Sequence, residues 1–164
     1  MKRFLLTFSA MMLFATTTIA GGNTTNATAP TFSGKTAEGL LINLADYKGK
    51  VVVLDFWTSG CGPCREGFPF LMKLHEKAKR GAFTVIAVNI DADAAKLKEF
   101  LSEQKSQPSF PIIADAQGKI PALFDLKSMP TTILIDKKGV IRYRHTSFTQ
   151  VEKEKLTAEV KTLL

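Results

Sequence analysis

The chain predicts an α/β three-layer sandwich in which a mixed central β-sheet is flanked by helices and preceded by an N-terminal β-hairpin. Three observations predict it. Two apolar, β-branched runs, residues 51–57 (VVVLDFW) and 83–90 (FTVIAVNI), read as buried strands. Each is followed by a stretch whose apolar residues recur at helical spacing, the alternation that places parallel strands in one sheet. Downstream, residues 131–135 (TTILI) and 140–145 (VIRYRH) flank the turn Asp136-Lys137-Lys138-Gly139, an antiparallel hairpin signal, so the sheet is mixed.

Taken in order, residues 1–20 have a basic start (Lys2, Arg3), an apolar run at 4–14 too short to span a bilayer comfortably, and the small-residue site Thr18-Ile19-Ala20. This predicts a signal peptide cut after Ala20 and a periplasmic protein; an uncleaved anchor is the alternative and the one expected membrane contact. No cysteine follows the apolar run, which argues against a lipid anchor. Residues 21–31 (GGNTTNATAPT) are small and polar and read as a flexible leader, leaving 32–164 as the folded domain. Two Asn-x-Thr matches in that leader are expected by chance in a Thr-rich segment.

Phe32 and residues 40–43 flank a Gly34 to Gly39 turn and form the hairpin; residues 46–50 then turn the chain into the central strand. A helix over 65–79 has Phe68, Leu71, Met72 and Leu74 on its apolar side, with a kink expected at Pro69, which has no N–H to donate. Asp91 or Asp93 caps the next helix, whose apolar positions are Leu97, Phe100 and Leu101. Residues 106–111 hold two prolines and form a loop, Ile112 and Ile113 start a short strand, and 120–126 make a short helix. A last helix over 151–164 presents Val151, Leu156, Val160 and Leu164.

The chain has 164 residues, 45% of them hydrophobic, which is enough for one domain with its own core. Its formal charge of +7 falls to +5 once Lys2 and Arg3 are removed, and the remaining bases are interspersed with acids, so no nucleic-acid footprint is seen. There are two cysteines, Cys61 and Cys64, in the sequence Cys61-Gly62-Pro63-Cys64 at the strand-to-helix turn. A bridge over so short a loop constrains little of the unfolded chain, so the pair points to chemistry rather than to a scaffold. At a helix N-terminus, unpaired N–H groups and the helix dipole favour the thiolate, which is the form that attacks disulfides.

These residues resemble the thioredoxin superfamily, and within it the exported TlpA/ResA-like thiol-disulfide oxidoreductases. The resemblance covers residues 32 to the C-terminus and rests on Asp55-Phe56-Trp57 leading into CGPC, on VIAVNID at 85–91, and on Ser128-Met129-Pro130-Thr131-Thr132. It implies a thioredoxin fold, a Cys61–Cys64 disulfide in the oxidised state, Cys61 as nucleophile and Cys64 as resolving cysteine. It also implies a cis Pro130 facing the pair and a Met129 backbone that grips an extended client segment by strand addition, with Trp57, Gly62 and Pro63 completing the client-binding surface; for Trp57 packing is the competing account, and the two are compatible. Asp55 matches a buried aspartate that serves as proton acceptor for Cys64, though the lysine that accompanies it in thioredoxin falls at Ala87, and many TlpA/ResA-like proteins have no acid there.

Two further departures stand out. Gly60 replaces the usual tryptophan before the first cysteine, and Gly67 the usual glutamate three residues after the second, with Glu66 one step earlier; both predict a shallower, looser rim. The Gly-Pro dipeptide resembles that of reducing members. The implied function is a periplasmic reductase of client disulfides, as in cytochrome c maturation, drawing electrons from a DsbD/CcdA-type membrane thiol transporter and needing no cofactor. The alternatives are a metallochaperone or redox-sensing binding module and a disulfide oxidase or isomerase. His75 and His145 could join the cysteines in a zinc or copper site, but their spacing does not favour it and no metal is expected. Arg142 and Arg144 share a strand face that is read as solvated.

Overall fold

The computed structural model describes residues 26–78 and 81–164. The expected signal peptide, residues 21–25 of the leader and Lys79 at the expected end of the first long helix lie outside the described residues. The elements are β1 (Ser33–Lys35), β2 (Leu41–Asn43), a 3-10 helix (Leu44–Tyr47), β3 (Val51–Trp57), α1 (Gly62–Lys77), β4 (Phe83–Asn89) and α2 (Ala94–Ser102). They continue with β5 (Ile112–Ala114), α3 (Lys119–Leu123), β6 (Thr131–Ile135), β7 (Ile141–His145) and α4 (Gln150–Leu163).

β5, β4, β3, β6 and β7 form the central sheet in that order. β3, β4 and β5 run parallel, and β6 and β7 antiparallel to their neighbours. β3 and β4 are buried at every position, the consequence of covering both faces of a sheet. On one face Val53, Trp57, Val85 and Leu134 meet Phe68 and Leu71 of α1, Leu97 and Phe100 of α2, and Leu156 and Val160 of α4. On the other, Leu54, Phe56, Ile86 and Ile133 meet Phe32, Ile42 and Leu44 of the N-terminal layer and Ile120 and Phe124 in and beside α3. The strand period of two assigns each residue to its face. Burying each such aliphatic or aromatic side chain contributes about 1.5–3 kcal/mol.

The two-stranded hairpin β1–β2 lies over the β5 end of the sheet. Gly34 is required there: a Cβ at that position would lie 2.4 Å from Ile113 Cγ2. The Thr36↔Ile113 bridge extends the same approach.

Two expectations are corrected. The leader does not extend to residue 31, because Ile141 N–H donates to Ala27 O (2.9 Å), Ala29 N–H donates to Gly139 O (2.9 Å), and Ala29 is buried. Backbone groups left at the outer edge of β7 accept this polar segment as a short extra pairing, whatever its composition. In α4 only Leu156 and Val160 are buried; Val151 and Leu164 are exposed, since a 14-residue helix resting on the sheet edge buries a narrow stripe. The expected placement of Cys61 at a helix start is met: α1 begins at Gly62, with Cys61 as its N-cap and Pro63 in the first turn, where a missing N–H costs nothing. Pro69 lies inside the helix on its exposed side, where water can serve the Arg65 carbonyl that Pro69 cannot.

Candidate active site

The carboxyl end of β3 delivers the chain into Thr58-Ser59-Gly60 and then the N-terminus of α1. Cys61 and Cys64 are joined in a disulfide with Cα atoms 5.2 Å apart. Their environments differ. Cys61 is half-buried at the helix N-cap, where its Sγ accepts the Cys64 N–H at 3.2 Å, while Cys64 is only 2% exposed and faces the α1 side of the core. Backbone N–H groups at a helix start are thus aimed at Cys61 Sγ, which stabilises negative charge on that sulfur in the reduced form. Gly62 and Pro63 are exposed beside it.

The approach loop is braced from β4. Asp91, which does not cap α2, accepts the Ser59 N–H with both carboxylate oxygens (3.0 and 3.3 Å) and the Asn89 side-chain amide (2.9 Å). Asp93 is the cap, accepting from Ala95 N–H at 2.9 Å. Arg65 donates to Ser59 O (3.3 Å), pairs with Glu103 and lies 5.0 Å from the Phe100 ring centre. Sequence reasoning missed Asp91 and Arg65 as loop supports; the NID tripeptide at the end of a strand was the available signal, but its partner lies 32 residues away in the chain.

The Met129–Pro130 bond is cis. β6 pairs with β3 so that Thr131 is opposite Phe56 and Thr132 opposite Asp55, which places Pro130 and Met129 at the same end of the sheet as the cysteines. Met129 is partly buried against the core that Cys61 also touches.

Asp55 is 2% exposed, on the same face of β3 as Val53 and Trp57. Its neighbours in register are Ala87 on one side and Thr132 on the other. Thr132 Oγ1 donates to its carboxylate at 2.8 Å, and Ala87 supplies no cation. Burial pushes its pKa from 3.8 to about 7, against the weaker lowering by that hydrogen bond. Asp55 thus lies on the face of β3 that turns toward the core cluster containing Cys64, with a carboxyl poised near neutrality.

Trp57 is corrected from a client-contacting residue to a core residue. It is fully buried, stacked against Phe68 (5.0 Å) and Phe100 (4.7 Å), because the last residue of β3 still points under α1 and α2. Its Nε1 is the one fully buried side-chain polar atom without a hydrogen-bond partner among the described residues. The expected loosening of the rim at Gly67 is corrected as well. A Cβ there would lie 2.2 Å from the Phe148 ring, so Phe148, from the β7–α4 connection, seats itself on α1 where a glutamate is usual. Gly60 faces open space, with nothing within 4 Å of a Cβ.

His75 and His145 are engaged elsewhere. His75 Nδ1 meets Ser109 Oγ at 3.0 Å and its ring packs on Phe83 and Phe110. His145, 3% exposed, is held between Glu152 (Nδ1, 2.6 Å) and Glu159 (Nε2, 2.6 Å) of α4. Among the described residues no group of three or more His, Cys, Asp or Glu side chains is arranged to hold a metal, and no helix is long and apolar enough to cross a membrane. Arg142 pairs with Asp136 (3.1 Å) and bonds Asn26, and Arg144 donates to Phe124 O, so this strand face is tied into the fold.

A redox-active dithiol at a helix N-terminus, beside a cis-proline strand on a five-stranded mixed sheet, defines the class: a thioredoxin-fold thiol-disulfide oxidoreductase. The Redoxin family model matches residues 24–161. The thioredoxin-like protein YneN of Bacillus subtilis is 39% identical over 127 residues, 77% of this chain and 73% of that one. The thiol-disulfide oxidoreductase ResA of Bacillus thuringiensis is 34% identical over 113 residues, 69% of this chain, which spans a little under two thirds (64%) of the ResA length. A solved DsbE-type thiol:disulfide interchange protein from Chlorobium tepidum superposes with a TM-score of 0.79 at 35% identity, over 87% of this chain and 99% of its own. The chain belongs to the Redoxin family, in its ResA/DsbE-like branch.

Proposed function

We propose that the protein is an exported reductase that keeps client-protein thiols reduced, as in cytochrome c maturation. The observation that carries the reading is the asymmetry of the dithiol: Cys61 half-exposed at the N-cap of α1, Cys64 at 2% exposure behind it. In the reduced protein the Cys61 thiolate attacks one sulfur of a client disulfide. The client S–S bond breaks, one client thiolate leaves and takes up a proton, and a mixed disulfide with Cys61 remains. Cys64 loses its proton to Asp55 and attacks Cys61 Sγ; the Cys61–Cys64 bond forms and the second client thiol is released. Met129, through its backbone, and the exposed Gly62 and Pro63 offer the surface on which the client segment lies.

Each turnover leaves the Cys61–Cys64 disulfide, so two electrons must be returned by a dithiol donor, for which a membrane thiol transporter of the DsbD/CcdA kind is the proposed source. The basic start, apolar run and small-residue site of residues 1–20, read as a signal peptide, support a periplasmic site of action, and the Gly62-Pro63 dipeptide supports the reducing direction.

The test is the reduction potential of the pair with trapping variants alongside. A value near the thioredoxin value of about −270 mV supports the reductase; one near the DsbA value of about −120 mV replaces it with an oxidase or isomerase. Cys64→Ser should accumulate a mixed disulfide with its client, and Cys61→Ser should form none. Zinc or copper retained stoichiometrically with neither variant impaired in exchange would favour a metal-binding module.

A further inference from the structure

The end of the molecule opposite the dithiol is a concentration of lysines that the redox chemistry does not use. Lys48 and Lys50 precede the start of β3, and Lys137 and Lys138 occupy the β6–β7 turn; a bond from Gly49 N–H to Lys137 O (2.9 Å) holds the two turns together. Lys73 and Lys77 of α1 and Lys161 of α4 rim an open groove of about 670 Å3 at the same end, floored by Leu74, Ala78, Val160 and Leu164. Lys137 Nζ contacts the Leu164 carbonyl, joining the turns to the groove. With α1 16 residues long, this end lies about 24 Å from Cys61 at 1.5 Å per residue.

Among the described residues none of these seven lysines is ion-paired to an aspartate or glutamate. The acids at this end are few and partly occupied. Asp136 is turned into its own hairpin, accepting the Lys138 and Val140 N–H groups and pairing with Arg142; Asp46 accepts from Asn43, and Glu76 stands beside the neighbouring depression with Lys50.

We infer that this lysine-rimmed apolar groove and the adjoining turns are a docking surface for an anionic phospholipid bilayer, holding the molecule with its dithiol turned away from the membrane. The combination favours a bilayer over an acidic protein. The cations that rim the groove among the described residues, Lys73, Lys77 and Lys161, are point charges on long apolar stems that suit a diffuse headgroup layer. The groove between them is apolar and open, so the stems and the floor can meet the boundary between headgroups and acyl chains while the ammonium groups stay among phosphates. The proposal is independent of the direction of electron flow.

The test is partitioning of the full chain onto phosphatidylcholine vesicles with and without phosphatidylglycerol, for wild type and for the triple variant Lys73→Glu/Lys77→Glu/Lys161→Glu. The N-terminal segment, with its basic Lys2 and Arg3, is the same in both proteins, so the difference in anionic preference between wild type and the triple variant reads the three lysines. Wild type should prefer the anionic vesicles; three lysines contribute about a hundredfold, at roughly fivefold each. The triple variant should lose that preference, and wild type should lose it at about 1 M salt, where the Debye length is about 3 Å. A control triple, Lys96→Glu/Lys119→Glu/Lys127→Glu, changes the net charge equally at the dithiol end and should keep the preference. Equal ratios for wild type and the first triple, or an equal loss in the control, overturn the inference. Binding of wild type to polyglutamate without preference for anionic vesicles also overturns it, in favour of an acidic protein partner. Unchanged dithiol exchange with glutathione disulfide shows that each variant is folded.

Discussion

Asp55 and His145 occupy one row across the sheet, separated by Thr132, which pairs with Asp55 on one side and His145 on the other. Both are buried, at 2% and 3% exposure, yet they are treated differently. His145 has a carboxylate on each ring nitrogen, and Lys155 adds a bond to Glu152 at 2.9 Å. Both ring nitrogens of His145 are thus engaged by side chains of α4, and Glu152 is shared with Lys155. Asp55 has one hydroxyl and no cation. Burial with complete partners makes a structural clamp; burial with one weak partner leaves a group whose proton is easily given or taken.

The largest expected break in that comparison is His145→Ala. It leaves Glu152 and Glu159 without their buried partner, and urea unfolding at neutral pH should show a loss of about 3–5 kcal/mol. A loss below about 1 kcal/mol would mean that α4 is held by Leu156 and Val160 alone. The same clamp predicts acid sensitivity. Bonds from His145, then Lys155, hold the Glu152 pKa below its usual value, so its contribution is present above the unfolded-state pKa and is lost as pH falls through the lower folded one.

Asp55→Asn comes next, and its sign is opposite. A folded pKa of about 7 against 3.8 unfolded means that Asp55 favours the folded state fully below about pH 4 and that this contribution is lost as pH rises to 7. At about 1.4 kcal/mol per unit the span is about 4 kcal/mol. Stability of the wild type should therefore decline between pH 4 and 7 by this amount, and the Asn variant should lack that decline while resolving mixed disulfides more slowly. Stopped-flow exchange across the same pH range reads the second effect. A variant with an unchanged pH profile would remove Asp55 from the proton transfer.

Smaller effects sharpen the contrast at the rim. Gly67→Ala drives a Cβ into the Phe148 ring and should cost about 1–3 kcal/mol in thermal or urea unfolding; combined with Phe148→Ala its own cost should largely vanish. Gly60→Trp, facing open space, should change stability by no more than about 0.5 kcal/mol while altering the apparent affinity for clients. If both glycines respond alike, Phe148 is not what distinguishes the two sides of the dithiol.

Much of the fold was legible because its signals are local. VVVLDFW could be little other than a strand covered on both faces, and Asp55 stood out within it because a carboxylate in such a run needs a reason. CGPC at the strand end, Pro130 before TTILI and the Asp136 to Gly139 turn were equally readable. What escaped depends on partners far apart in sequence. Asp91 and Asp93 were equal candidates for the helix cap, and only the fold, which brings Ser59 N within 3.0 Å of Asp91, separates their roles. Trp57 admitted two readings, client contact and packing, and strand alternation that turns it under α1 and α2 decided for packing.

The sequence by itself determined the strand and helix order, the dithiol at a helix start and the buried carboxylate behind it, since each follows from residue type and spacing within a dozen positions. Only the tertiary structure decided that residues 27–29 pair along β7, that Gly67 is the seat of Phe148, that His145 is clamped by two glutamates, and that Lys73, Lys77 and Lys161 rim one groove. Those are consequences of where distant surfaces meet. A one-dimensional pattern fixes which way a side chain points on its own element, and packing alone fixes what it finds there.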